Sequence, residues 1–147
     1  MEYNDVKRCL QGCPDLAGLD EPTAAALFWL GEAQTLEEGA VVYAEGTMLD
    51  NTFCLLLSGD LVLEMAMEII GGIFEGEIFG EMAYFTNRNT RTATVRVSSP
   101  QAILLKFRLA PEELADTRFS GLRKVLALET WQKFVSRSQG PIPCEMI

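Results

Sequence analysis

The chain contains no histidine. Without an imidazole it cannot build a Ser-His-Asp triad, a Cys-His nucleophile pair or a His-ligated metal or haem centre. Cations are scarce as well: 12 lysines and arginines stand against 21 aspartates and glutamates, a formal charge of −9. Nucleic acids are bound largely by Lys and Arg displacing counterions, so an acidic surface of this kind repels them and no nucleic-acid partner is expected. Long apolar runs are missing too. The longest, such as Ala24–Leu30, fall far short of the roughly 20 residues that span a bilayer, and no membrane association is expected. The opening Met1-Glu2-Tyr3-Asn4-Asp5 has no basic stretch leading into an apolar one, so no secretory signal is read and a cytoplasmic location is expected.

The four cysteines do not form a metal-binding pattern. Cys9 and Cys13 are four apart, but Pro14 ends their segment and no second close pair completes a four-thiolate site. Cys54 lies in the apolar run Phe53-Cys54-Leu55-Leu56-Leu57, where a free thiol behaves as a small core residue. With Cys144 they are read as reduced, unspecialised thiols, and neither metal nor cofactor is expected.

What is present is the material of a packed domain. Hydrophobic residues make up 48% and charged residues 22% of 147, which excludes a disordered chain and fits one domain able to bury its own core. Two short helices are predicted first, Asn4–Leu10 and Thr23–Leu30. The second has Asp20-Glu21-Pro22 as its start, Gly31 as its stop and Ala24, Leu27, Phe28 and Leu30 as its buried face. From Ala33 onward short β-prone runs follow one another: Val41–Tyr43, Thr52–Leu57, Leu61–Leu63, Ile69–Ile70, Thr92–Val97 and Ala102–Phe107. Glycines at 39, 46, 59, 71-72 and 76 are read as the turns between them, the pattern of a sandwich or barrel.

The last third is predicted helical. Pro111-Glu112-Glu113 is a good first turn, and Leu122, Val125, Leu128, Trp131 and Val135 recur at spacings of three or four to about Arg137, before Gly140-Pro141-Ile142-Pro143 breaks the helix. The favoured role of this stripe is packing against the barrel; the sharper one is a seam for a homodimer that also closes over a ligand. Trp131 is expected in the core.

One stretch carries specific chemistry. Phe79-Gly80-Glu81-Met82-Ala83 is followed, ten residues after the glutamate, by Arg91-Thr92-Ala93-Thr94-Val95. Backbone amides in a short helical turn can present aligned donors to an anion, and glycine and alanine let it approach closely. Arg91 can add a charge-assisted contact to two phosphate oxygens, and Thr92 a hydroxyl. A carboxylate beside a phosphate repels it, so Glu81 makes sense if it accepts from a hydroxyl held next to that phosphate, such as a ribose 2′-OH. The same carboxylate could also steady Arg91. The plainer account is an ordinary Glu81–Arg91 salt bridge across a turn.

Residues Gly76 to Ala83 with Arg91 to Val95 resemble the phosphate-binding cassette of the cyclic nucleotide-binding domain family. That family includes bacterial catabolite activator proteins, regulatory subunits of cyclic-nucleotide-dependent kinases and cyclic-nucleotide-gated channels. Glu38-Gly39 and Glu45-Gly46 look like its early turns and Phe53–Gly59 like its strand into a glycine turn, so the resemblance covers roughly residues 15–137. It implies a mainly β fold, a double-stranded β-helix or jelly roll (the β-roll) flanked by helices: a helical N-terminus at 1–32, the β-roll at 33–110, a long C-terminal helix at 111–138 and a tail at 139–147. It places the phosphate-binding arginine on Arg91, the ribose-binding glutamate on Glu81, the cassette amides and small residues on Gly80, Met82 and Ala83 beside Phe79, and the hydroxyl position on Thr92. It also implies a non-enzymatic sensor of cyclic AMP (cAMP) or cyclic GMP (cGMP) that signals by moving the C-terminal helix; the hydroxyl at Thr92 serves either nucleotide in bacterial relatives and accompanies cyclic GMP preference in some eukaryotic members, and cyclic AMP is the favoured expectation.

The hairpin from Leu61 to Ile73 looks shorter than in the bacterial activators. No helix-turn-helix module follows within these 147 residues, so the output is expected from a separate effector protein or an output domain. Base contacts are sought on the terminal helix at Thr130, Trp131, Ser136 or Arg137. Against this stand two other functions. One is a degenerate β-roll interaction module that binds another anion or nothing. The other is an enzyme using Glu81 as general acid or base, which lacks a nucleophile or metal cluster.

Overall fold

A computed structural model describes residues 21–116 and 119–138. The expected helix Asn4–Leu10, three of the four cysteines and the Gly140-Pro141-Ile142-Pro143 break lie outside these residues. Helix α1 (Glu21–Leu30) runs directly into strand β1 (Gly31–Glu37). There follow β2 (Val41–Tyr43), β3 (Thr52–Ser58), β4 (Leu61–Met65), β5 (Glu68–Ile73), β6 (Ile78–Phe79), a 3₁₀ turn (Glu81–Phe85), β7 (Thr94–Val97) and β8 (Gln101–Arg108). Helices α2 (Pro111–Leu114) and α3 (Ser120–Ser138) complete the described chain.

The strands form two antiparallel four-stranded sheets, ordered β1-β8-β3-β6 and β2-β7-β4-β5. This is the expected mainly β roll. Side chains alternate faces along a strand, and in β3 both faces are covered. Cys54 and Leu56 point between the sheets, where they meet Leu61, Leu63, Phe79, Val95, Val97 and Leu104. Phe53 and Leu55 point the other way, where Leu105 and Phe107 join Leu27 of α1, Leu114 of α2 and Leu122 and Leu126 of α3. The uninterrupted run Phe53-Cys54-Leu55-Leu56 therefore has no polar alternation because neither face meets water.

Four expectations need correction. Strand β1 was not foreseen beyond a change of texture at Ala33, because its sequence is half polar; it is largely solvent-facing and is held by pairing with β8 from Gly31↔Phe107 to Glu37↔Gln101. Gly71 and Gly72 are not a turn but lie inside β5, opposite Leu63 and Val62. The hairpin instead turns at Ala66 and Met67, both left-handed (φ 51° and 69°), where the Glu45 carboxylate accepts from the Ala66 N–H. The strand expected from Thr92 begins at Thr94, since the Arg91 backbone pairs instead with Gly46 and Thr47.

The fourth concerns the terminal helix. Rather than one helix from 111, α2 ends after a single turn and α3 starts separately at Ser120. The face of α3 that packs is Leu122 and Leu126, with Phe119 just before it, while Leu128 and Trp131 are 56% and 62% exposed. Trp131 is thus outside the core. The expected stripe mixed two faces of the helix; the side chains of Val125 and Val135 lie outside the description. On α1, Leu27 is buried as expected and Ala24 and Leu30 are half-buried, while the side chain of Phe28 lies outside the description.

Candidate functional site

The Phe79-to-Ala83 stretch and the segment at Arg91 meet where the two sheets open. Strand β6 pairs Phe79 with Cys54 and Ile78 with Leu55, which fixes the entry to the stretch. Gly80 then turns left-handed (φ 85°) and starts the 3₁₀ turn. A Cβ at Gly80 would lie 2.9 Å from the Tyr43 ring and 3.2 Å from Arg91 Nη1, so conformation and space both demand glycine.

Phe79, Gly80, Arg91 and Thr92 line one small recess together with Tyr43, Leu63, Ala93 and Val95. Ala83 faces a neighbouring recess that shares Arg91 and Thr92 and adds Thr86, Arg88 and Thr90. Met82 is buried in the core, and Glu81 is wholly buried and lines neither recess.

Arg91 is 7% exposed. Its Nη1 donates to the Gly80 carbonyl at 3.1 Å, and its Nη2 donates to the Thr52 carbonyl at 2.9 Å and to Asp50 Oδ1 at 3.0 Å. The guanidinium lies over the Tyr43 ring, 3.8 Å from its centre. Nε has no hydrogen-bond partner among the described residues, and neither has Thr92 Oγ1. Buried polar atoms without partners are uncommon in folded proteins, and two of them beside one recess mark a place suited to a polar ligand.

The Arg91 bracing was not read from sequence. Burial alone would raise the Asp50 carboxyl, but hydrogen bonds from Thr52 Oγ1 (2.6 Å) and Arg91 hold it below the usual carboxylate range. Burial pushes the Tyr43 hydroxyl far above the ordinary phenol range, so it stays neutral and bonds with Thr52 Oγ1 at 2.9 Å. Burial also pushes the Cys54 thiol up to about 11, which leaves it an unreactive core residue. The sequence signal for Asp50 was faint: an Asp-Asn-Thr run whose Asn51 adopts φ 62°.

Glu81 does not pair with Arg91. Its Oε1 accepts from Lys133 Nζ of α3 at 2.6 Å, and the same ammonium donates to the Ile78 carbonyl at 2.7 Å. Both Arg91 terminal nitrogens are directed at acceptors elsewhere, so neither the plainer alternative of a Glu81–Arg91 salt bridge nor a Glu81 that steadies Arg91 is formed. Glu81 Oε2 is buried without a hydrogen-bond partner among the described residues. Of the positions considered for base contacts, Thr130 and Trp131 line a separate cleft with Phe85 and Ala127. The side chains of Ser136 and Arg137 lie outside the description. Among the described residues no cluster of cysteines and carboxylates suited to a metal is found, and no helix is long and apolar enough to cross a membrane.

Residues 33–111, more than half of the chain, match the model of the cyclic nucleotide-binding domain. Among solved structures, a putative cyclic nucleotide-binding protein from Geobacter metallireducens superposes with a TM-score of 0.74 at 18% identity, over 94% of this chain and 99% of that one. The sensor domain of the transcriptional regulator DNR from Pseudomonas aeruginosa gives 0.69 at 22% identity, over 89% and 91%. The regulatory domain of Toxoplasma gondii PKA, solved with cAMP, gives 0.66 at 18% identity, over 89% of this chain and 51% of that one. At these identities the likeness is one of fold. No curated protein sequence matches the chain.

Proposed function

Since the chain belongs to the cyclic nucleotide-binding domain family, we propose that it is a non-enzymatic sensor that takes a cyclic mononucleotide into the recess between Tyr43, Gly80, Arg91 and Thr92. The observation that carries this is a buried guanidinium, held on acceptors of Gly80, Asp50 and Thr52, whose Nε lacks a partner among the described residues, as does the Thr92 hydroxyl. In this reading Arg91 and Thr92 hold the phosphate with the amides of Gly80, Met82 and Ala83, and Glu81 accepts from the ribose hydroxyl. An interior that excludes water strengthens each such contact.

Cyclic AMP is the preferred ligand. Apart from Arg91 and Thr92 the recess is lined by Leu63, Phe79, Gly80, Ala93, Val95 and Tyr43. Both purines bring an exocyclic amine, but guanine adds an exocyclic carbonyl that such a lining would leave unpaired, at a cost of about 1–3 kcal/mol. The signal passes through α3 to an effector protein or output domain.

A second reading has its own support. Asp50 already neutralises Arg91, and the Gly80 and Thr52 carbonyls occupy its terminal nitrogens, as in a β-roll that keeps its fold without a nucleotide. Thermal melting with cyclic AMP and cyclic GMP separates the two. The sensor shifts upward with cyclic AMP and less with cyclic GMP, whereas no shift at millimolar concentration of either would leave the interaction-module reading standing.

A further inference from the structure

The ammonium that touches Glu81 comes from α3, outside the cassette, and its geometry divides the carboxylate. Lys133 Nζ sits 2.6 Å from Oε1 and 2.7 Å from the Ile78 carbonyl, so it is pinned between the residue that enters the cassette and the one that begins its 3₁₀ turn. Oε2 is left buried and without a hydrogen-bond partner among the described residues. A carboxylate offers about four lone-pair sites; one oxygen engaged from behind fixes the plane and direction of the other.

We propose that Lys133 is a positioning residue for ligand recognition: by holding Glu81 Oε1 it presents Oε2 to a sugar hydroxyl, so that selection for a 2′-hydroxyl depends on the docking of α3. The proposal rests on the cyclic nucleotide reading above and adds which residue outside the cassette sets its sugar selectivity. Among the described residues no other charged side chain bonds Glu81. Arg91 grips the Gly80 carbonyl and Asp50, and β3, which also packs on the 3₁₀ turn, has Cys54 as its one titratable side chain. Lys133 touches no ligand atom in this scheme and acts through Glu81. Because the link is a bond between α3 and the site, a ligand that draws on Oε2 must by reciprocity strengthen the docking of α3.

The test compares cyclic AMP with 2′-deoxy cyclic AMP in calorimetry, on folded wild type, Lys133→Met and Lys133→Arg. Wild type should prefer the hydroxylated ligand by about tenfold or more, as for a hydrogen bond to a charged acceptor. Lys133→Met should lose that preference by weakening cyclic AMP while leaving the deoxy ligand nearly unchanged, and Lys133→Arg should retain most of it. A Met variant that weakens both ligands equally, or keeps the preference, overturns the proposal; so does an Arg variant that loses it. Wild type that binds neither cyclic AMP nor cyclic GMP overturns the parent reading and this one together, and is told apart from the other failures by that result alone.

Discussion

Arg91 and Glu81 are buried charges ten residues apart, and their partners come from different parts of the molecule. Arg91 is braced by the barrel itself: Asp50 and Thr52 at the start of β3, the Gly80 carbonyl after β6 and the Tyr43 ring at the end of β2. Glu81 is braced by α3 through Lys133. The cationic half of the site therefore belongs to the two-sheet scaffold, and the anionic half is complete only while α3 is docked. On the proposed reading, such a division would separate holding a phosphate from reporting that it is held.

Loosening α3 should break one half and spare the other. Leu126 is wholly buried against the outer face of the β1-β8-β3-β6 sheet. Leu126→Ala should lower unfolding free energy by about 2–5 kcal/mol in denaturant titration. It should also reduce protection of α3 amides in hydrogen exchange more than that of β3 or β8 amides. Equal losses in helix and barrel would contradict the division.

Acid should act on the other half. The Asp50 carboxyl is held below its usual range, so it contributes stability that is present above its unfolded-state value of about 4 and is lost as pH falls through the lower folded-state value. Melting of wild type should therefore decline below about pH 4 more steeply than that of Asp50→Asn. The effect is small because the Asp50 side chain is 42% exposed. Identical acid limbs would remove Asp50 from the account. Smallest of all is Trp131→Ala. With that ring 62% exposed, unfolding free energy should change by no more than about 0.5 kcal/mol, and a loss like that of Leu126→Ala would mean that Trp131 is packed after all.

Local pattern and long-range contact differ in how far they could be read ahead. The run Phe53-Cys54-Leu55-Leu56 and the positive-φ turns at Gly39, Gly46, Gly59 and Gly76 were legible because strand and turn chemistry is written within a few residues. The hairpin turn was misplaced because Gly71-Gly72 outweighed Ala66-Met67, whose left-handed backbone is accompanied by a hydrogen bond to Glu45, 21 residues away. Glu81 and Arg91 stood out as a spaced pair, but their partners did not. Asp50 lies 41 residues from Arg91 and Lys133 lies 52 from Glu81, and no periodicity encodes either contact. The α3 stripe failed for a related reason, since spacing alone cannot tell a face that meets the sheet from one that meets solvent, and Leu122 with Leu126 won over Leu128 with Trp131.

Calorimetric titration of cyclic AMP into wild type and Arg91→Ala asks whether the buried guanidinium holds the ligand. Wild type should bind measurably and the variant should lose about thirtyfold or more, within the roughly 2–5 kcal/mol for removing one partner of a buried charged contact, while remaining folded by circular dichroism. Equal affinity in the two proteins would contradict that role for Arg91.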